Sequence, residues 1–107
     1  MRILIIDDEE SMRHMLSVIL KKEGYDVVSF AGGQAALDSL ETEEADFILC
    51  DIRMPGMGGL EFLKALKDRG EHRTVIMMSA YGTIDNAIEC MKLGAYDYVS
   101  KPFKTAE

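Results

Sequence analysis

Short apolar runs alternate with segments of helical periodicity along almost the whole chain, and this alternation most constrains the fold. The apolar runs read RILII, DVVSF, FILC, VIMM and YDYVS. Between the first two runs, apolar residues recur from Met12 to Leu20 at spacings of three and four, which is the spacing of one helix face. Helices that separate buried strands let every strand run in the same direction. The pattern therefore predicts an α/β fold, with a parallel sheet covered by helices on both faces.

Three more helices are predicted between the remaining strands. Their apolar faces carry Leu37 and Leu40 in the second helix, Leu60, Leu63 and Leu66 in the third, and Ile84, Ile88 and Met91 in the fourth. The first helix should stop at Gly24, and the fourth should run from near Thr83 to Gly94.

Length and charge limit what such a chain can do. With 107 residues the chain forms one domain, and it has no apolar run near the ~20 residues that cross a bilayer. Its net charge of −7 repels a phosphate backbone, so we expect no direct binding to nucleic acid. Cys50 and Cys90 lack metal-ligand or redox spacing, which predicts two reduced, buried thiols and suits a cytoplasmic protein.

Polar side chains follow four of the five predicted strands. They are Asp7 and Asp8 after the first, Asp51 after the third, Ser79 after the fourth and Lys101 after the fifth. The carboxyl ends of parallel strands meet at one edge of the sheet, where open α/β folds place their ligands. Three carboxylates would repel one another there unless a cation such as Mg²⁺ lay between them. A carboxylate nucleophile beside a metal, a hydroxyl and a lysine suits phosphoryl transfer.

Each of these residues also has an ordinary structural use. Asp7 and Asp8 could cap the first helix, Asp51 could begin a turn, Ser79 could bond to its own backbone, and Lys101 could be a solvated base. The three glycines between Asp51 and the third helix have no phosphate-loop spacing and are expected to serve as turn and helix-start residues. The joint placement of the polar residues at four strand ends, and not any one of them alone, indicates a functional site.

Four motifs in this order resemble the receiver domains of bacterial two-component response regulators: LIIDDEE, ILCDIRMPGMGGLEFL, VIMMSAYG and GAYDYVSKPF. The resemblance covers essentially the whole chain, residues 1–107. It implies the flavodoxin-like receiver fold, a doubly wound sheet of five parallel strands in the order 2-1-3-4-5. The stretch from Ser79 to Phe103 is most similar to receivers joined to ATPase activators of the alternative sigma factor.

The resemblance also implies a role for each strand-end residue. Asp51 would be the phosphoacceptor, and Mg²⁺ would be held by Asp7, Asp8, Asp51 and the backbone carbonyl of Arg53. Ser79 and Lys101 would bind the phosphoryl oxygens. Tyr98 would be the switch aromatic that responds together with Ser79, and the Lys101–Pro102 peptide bond would be cis.

The function that follows from this resemblance is a signalling switch. A sensor histidine kinase would donate the phosphoryl group, and the receiver would catalyse only its own phosphorylation and dephosphorylation, so it would not be an enzyme in the usual sense. It would control an attached output domain, which we expect to be a transcriptional activator. A homodimer is compatible with the resemblance, and no membrane association is expected.

The chain ends at KTAE, about where receivers usually begin a fifth helix. We therefore expect a receiver domain truncated near the start of that helix. The first and fifth helices share one face of a 2-1-3-4-5 sheet, so its loss would uncover apolar side chains on that face. Val75, Met77 and Val99 are among the candidates for exposure, subject to the side of the sheet that each one faces.

Three other classes of protein remain as alternatives. A haloacid-dehalogenase-type phosphohydrolase also uses an aspartyl nucleophile and Mg²⁺, but its nucleophile follows the first strand within DxD. A flavodoxin-like electron carrier would share the topology, yet this chain lacks its hydroxyl-rich phosphate loop and flanking aromatics. An interaction module of the same fold that never meets phosphate stays open.

Overall fold

The computed structural model describes residues 1–42, 44–71, 73–79 and 84–100. The strands are β1 (Arg2–Ile6), β2 (Asp26–Phe30), β3 (Phe47–Asp51), β4 (Thr74–Ser79) and β5 (Asp97–Ser100). The helices are α1 (Glu10–Lys22), α2 (Gly33–Ser39), α3 (Gly59–Asp68) and α4 (Ile84–Lys92). None of the helices in these ranges has the length and apolar composition to cross a bilayer.

The five strands form one parallel sheet in the order β2-β1-β3-β4-β5, as predicted. Parallel pairing places Ile6 beside Cys50, and Asp51 beside Met78. The carboxyl ends of β1, β3 and β4 therefore lie next to one another along a single edge. This register is what later gathers the strand-end residues.

The predicted helix ends are confirmed where the structure describes them. The α1 helix ends at Lys22, and Gly24 adopts a φ of 93°, a left-handed conformation that favours glycine. Gly94 closes the turn after α4 in the same way, with a φ of 99°. The α1 helix begins at Glu10, two residues before the first predicted apolar position, because its first turn is polar. The predicted start of α4 near Thr83 lies outside the described residues.

Two apolar layers cover the two faces of the sheet. The larger layer packs under α2, α3 and α4, around a fully buried Phe62. The smaller layer lies under α1 and contains Ile3, Ile5, Leu16 and Met78. The molecule thus has a thickly covered face and a thinly covered one.

Side-chain alternation corrects part of the prediction about exposure. Val75 and Met77 were expected on the less covered face, but they are only 1% and 0% exposed and belong to the layer beneath α2, α3 and α4. Val99 does lie on the α1 face and is half-buried. Ile76 and Leu49 help to line an apolar groove of about 240 Å³ on that face. A fifth helix would involve residues 101–107, which lie outside the described residues.

Truncating neighbouring residues of β4 should reveal the difference between the two faces. Met77→Ala removes a fully buried side chain and should lower the free energy of unfolding by about 2–5 kcal/mol. Ile76→Ala acts on the groove side, where the side chain is only half-buried, so its cost should be clearly smaller. Urea denaturation of both variants measures the two losses. Equal losses would contradict this assignment of faces.

Candidate functional site

Three carboxylates meet at the carboxyl edge of the sheet. Asp7 and Asp51 directly follow Ile6 and Cys50, which pair with each other, so the two acids occupy neighbouring positions on adjacent strands. One oxygen of each, together with one from Asp8, falls within a cluster whose atoms all lie within 4.8 Å of one another. Asp7 is 0% exposed and Asp51 is 6% exposed, whereas Asp8 faces solvent.

The charge of this cluster indicates the ligand that it suits. At an effective dielectric constant of about 20, two unit charges 4.8 Å apart repel by roughly 3.5 kcal/mol. A divalent cation among the oxygens replaces this repulsion with attraction. Mg²⁺ prefers oxygen donors and binds through one or two carboxylates while keeping several waters. Two buried carboxylates beside a solvent-facing one fit that requirement, so the acids could hold Mg²⁺.

Asp7 also takes part in the backbone turn that leads into α1. Its N–H donates to the Phe30 carbonyl at 3.1 Å, and its Oδ1 accepts the N–H of Glu9 at 2.9 Å. Glu9 is the N-cap residue of α1 and provides no side-chain cap of its own. The helix-start role considered as an alternative for Asp7 is therefore present, and it coexists with membership of the acidic cluster.

The segment after Asp51 folds tightly against the end of β3. Ile52 donates its N–H to the Met78 carbonyl at 2.9 Å, and Gly59 donates its N–H back to the Ile52 carbonyl at 2.9 Å. A Cβ on Gly59 would lie 2.7 Å from Met77 Cε and 2.8 Å from Ile52 Cα, and it would also overlap the carbonyl oxygen of Asp51. The expectation that this glycine starts a helix is confirmed. Its close packing against Asp51 was not foreseen, because only the fold brings the two together.

Ser79 and Tyr98 lie beside this edge, on the other face of the sheet. Ser79 follows Met78, the partner of Asp51, and is 1% exposed. Tyr98 pairs with Met77, and strand alternation places it on the same face as Ser79. Its ring packs on the larger apolar layer, and its hydroxyl oxygen is buried without a hydrogen-bond partner among the described residues.

An open cleft of about 420 Å³ borders the acidic cluster on its solvent side. Asp8 and the segment from Ile52 to Pro55 line it, and this segment includes Arg53. The predicted metal contact of the Arg53 carbonyl remains a prediction. The predictions for Lys101 and for a cis peptide bond at Pro102 concern positions outside the described residues.

The negative charge at this edge of the sheet affects the pKa of the Cys50 thiol. Burial raises its pKa well above the ordinary value, and the neighbouring carboxylates of Asp51 and Asp7 raise it further. Cys90 is also buried, and burial likewise raises its pKa. Both thiols are free, as predicted from their spacing.

Known proteins resemble this chain over nearly its whole length. The family model described as "Response regulator receiver domain" matches residues 3–107. The chain is 42% identical to sporulation initiation phosphotransferase F of Bacillus subtilis, over 99% of this chain and 86% of that protein. It is 42% identical to the DNA-binding transcriptional regulator NtrC of Klebsiella pneumoniae, over 96% of this chain but only 22% of NtrC. The expected likeness to receivers of NtrC-type activators is thus confirmed.

Solved structures give the same result for the fold. The response regulator protein TrrA of Thermotoga maritima superposes with a TM-score of 0.85 at 31% identity, covering 96% of this chain and 88% of TrrA. At this level of identity the likeness extends to the sequence as well as to the sheet topology.

Substitution of Gly59 should show how closely α3 packs against the phosphoacceptor candidate. Gly59→Ala forces a methyl group into the backbone at Asp51 and should lower the free energy of unfolding by about 3 kcal/mol. Gly32→Ala is the matched control, since its Cβ would meet no described atom within 4 Å, and as an N-cap change it should cost no more than about 1 kcal/mol. Urea denaturation compares them, and similar costs would show that the contact at Gly59 is not tight.

Proposed function

The chain belongs to the family of response regulator receiver domains, and we propose that it accepts a phosphoryl group on Asp51 from a sensor histidine kinase. Receiver domains are phosphorylation-dependent signalling switches. The observation that carries the proposal is the meeting of the Asp7, Asp8 and Asp51 carboxylate oxygens within 4.8 Å at the carboxyl edge of the sheet. Three carboxylates this close together repel one another in the folded state, and binding of Mg²⁺ and phosphate accounts for their placement.

In this mechanism an oxygen of Asp51 attacks the phosphorus atom of a phosphohistidine. The new O–P bond forms as the P–N bond breaks, and the electron pair leaves with the imidazole nitrogen of the kinase. Asp7 and Asp8 would hold Mg²⁺ with Asp51 and the Arg53 carbonyl, and the metal would neutralise charge on the phosphoryl oxygens. Ser79 would donate its hydroxyl to one of these oxygens, and Lys101 would supply a fixed positive charge.

The route to Asp51 follows from its burial. Asp51 is only 6% exposed, and we infer that the phosphoryl group approaches it through the open cleft that Asp8 and Arg53 line. The TrrA structure was solved in complex with Mg²⁺ and beryllium fluoride, as its description states. The same chemistry in this chain would use the cluster of three acids.

Tyr98 supports the switching part of the proposal. A buried hydroxyl without a partner costs about 1–3 kcal/mol, so the inward position of the ring is not strongly favoured over one in which the hydroxyl meets water. Ser79 lies on the same face as Tyr98. It is two residues after Met77, the residue of β4 that pairs with Tyr98. Movement of Ser79 toward a phosphoryl group would change the packing around Tyr98 and bias its position.

The output of the signalling switch is proposed from the relatives of this protein. NtrC is a DNA-binding transcriptional regulator and is several times longer than the matched region. We infer that this receiver controls an attached output domain that regulates transcription, since its own charge of −7 disfavours DNA binding. Two free, buried thiols support a cytoplasmic location.

Phosphorylation can be tested with a small phosphodonor. After incubation with Mg²⁺ and acetyl phosphate, the intact mass should rise by one phosphoryl group, and Asp51→Asn should abolish this gain. Asp8→Ala should require far more Mg²⁺ for the same yield, because it removes one of the three clustered carboxylates. Asp68→Asn is the matched control, since it removes the same charge at the far end of α3 and should behave as the wild type.

Two outcomes of this experiment would contradict the proposal. A wild-type chain that stays unmodified would favour an interaction module independent of phosphate. Continuous release of inorganic phosphate, with many turnovers for each protein molecule, would favour a phosphohydrolase.

The Tyr98 hydroxyl, which has no hydrogen-bond partner in the described part of the chain, gives a prediction about stability. Tyr98→Phe should raise the free energy of unfolding by about 1–3 kcal/mol, because the ring is kept and the buried polar group is removed. Tyr96→Phe is the control, since Tyr96 is 70% exposed and its hydroxyl is in water. Chemical denaturation measures both. Destabilisation by Tyr98→Phe would show that the hydroxyl has a favourable partner and that the inward position is firmly held.

A further inference from the structure

Arg13 on α1 reaches back over the turn that carries the acidic pair. Its Nη1 donates to the backbone carbonyl of Asp7 at 2.7 Å, a short distance for a hydrogen bond from a charged donor. The side chain is half-buried, and this is its only hydrogen bond among the described residues. The guanidinium therefore binds a neutral carbonyl and not one of the three carboxylates.

Other hydrogen bonds of the described residues also hold this turn. Asp7 is held by its N–H bond to Phe30 and by the bond from Glu9 to its Oδ1, while Glu9 provides no side-chain cap. Asp8 faces solvent, and no hydrogen bond of its carboxylate occurs among the described residues. The position of the Asp8 carboxylate thus depends on the backbone on either side of it. Arg13 fixes that backbone from the α1 side.

We propose that Arg13 is a positioning residue that holds Asp7 and Asp8 in the geometry required by Mg²⁺ and so makes the site selective for Mg²⁺ over Ca²⁺. This inference rests on the proposed function of the same site. Mg²⁺ demands near-ideal octahedral geometry with oxygens at about 2.0–2.1 Å, whereas Ca²⁺ accepts longer and more variable distances of about 2.3–2.6 Å. A rigid turn favours the smaller ion, and a loosened turn removes that preference.

The hydrogen bond of Arg13 and its positive charge have opposite expected effects on cation affinity, so an experiment can separate them. The positive charge of Arg13 lies near the acidic cluster and by itself repels any cation, so removing it would tighten the binding of both ions. The hydrogen bond to Asp7 organises the turn, so its loss would weaken Mg²⁺ more than Ca²⁺. The ratio of the two affinities therefore separates positioning from electrostatics and from a general loss of stability.

The experiment measures dissociation constants of Mg²⁺ and of Ca²⁺ by amide chemical-shift titration at fixed ionic strength. Arg13→Met keeps the apolar stem and removes both the charge and the donor. We expect it to weaken Mg²⁺ roughly tenfold, as loss of an outer-shell partner does, and Ca²⁺ by no more than about threefold. Arg13→Lys keeps the charge and one donor group, and it should restore part of the Mg²⁺ preference.

A matched control accounts for net charge. Lys22→Met removes one positive charge from the exposed last turn of the same helix and should leave the ratio of the two affinities unchanged. Should Arg13→Met not fold, Arg13→Lys supplies the same comparison, with an intermediate fall in the ratio expected.

The remaining outcomes would overturn the inference. Tighter binding of both ions by Arg13→Met would show an electrostatic role only, and equal weakening of both would show a general structural role. An unchanged ratio in a folded variant would show that Arg13 does not set selectivity. A wild-type chain that binds neither ion would overturn the proposed function as well, whereas normal wild-type binding with an unaffected variant would overturn this inference alone.

Discussion

The repulsion between two buried carboxylates, Asp7 and Asp51, is the constraint on which the site depends. Parallel pairing of Ile6 with Cys50 leaves the two acids side by side, and neither is more than 6% exposed. A folded protein with net stability of about 5–15 kcal/mol can tolerate such a pair only with compensation nearby. Backbone donors supply part of it at Asp7, and a divalent cation would add to it. The close approach of the two acids is thus a property of the folded sheet.

Close packing near Asp51 contrasts with the buried hydroxyl of Tyr98 on the same face of the sheet. Beneath α2, α3 and α4 the central strands β1, β3 and β4 are buried, and Gly59 fits against the end of β3 without room for a methyl group. This packing keeps Asp51 in place. On the same face, the Tyr98 hydroxyl is buried without a partner among the described residues, which costs energy. Under the proposed function, Asp51 would be a closely packed phosphoryl acceptor and Tyr98 an aromatic that can change position.

The prediction about exposed strand residues was wrong for Val75 and Met77, and the reason is physical. The strand VIMM is apolar at every position, because β4 is covered on both faces, so its sequence carries no alternation from which to read a direction. The register with the neighbouring strands decides which face of the sheet each side chain of β4 lies on. It places Val75 and Met77 under the helices and Ile76 on the groove side. Where alternation is absent, only the packed structure can assign a face.

By itself, the sequence determined the α/β class, the five strands, the helix ends at Gly24 and Gly94, and the acids that would meet at one edge. Local periodicity and backbone chemistry encode these features, and parallel strands bring their carboxyl ends together whatever the details of packing. The tertiary structure alone decided that Arg13 reaches the Asp7 carbonyl, that Gly59 fills the space beside Asp51, and that the Tyr98 hydroxyl is buried. These contacts join residues through side-chain direction and close approach, and no spacing along a chain specifies either.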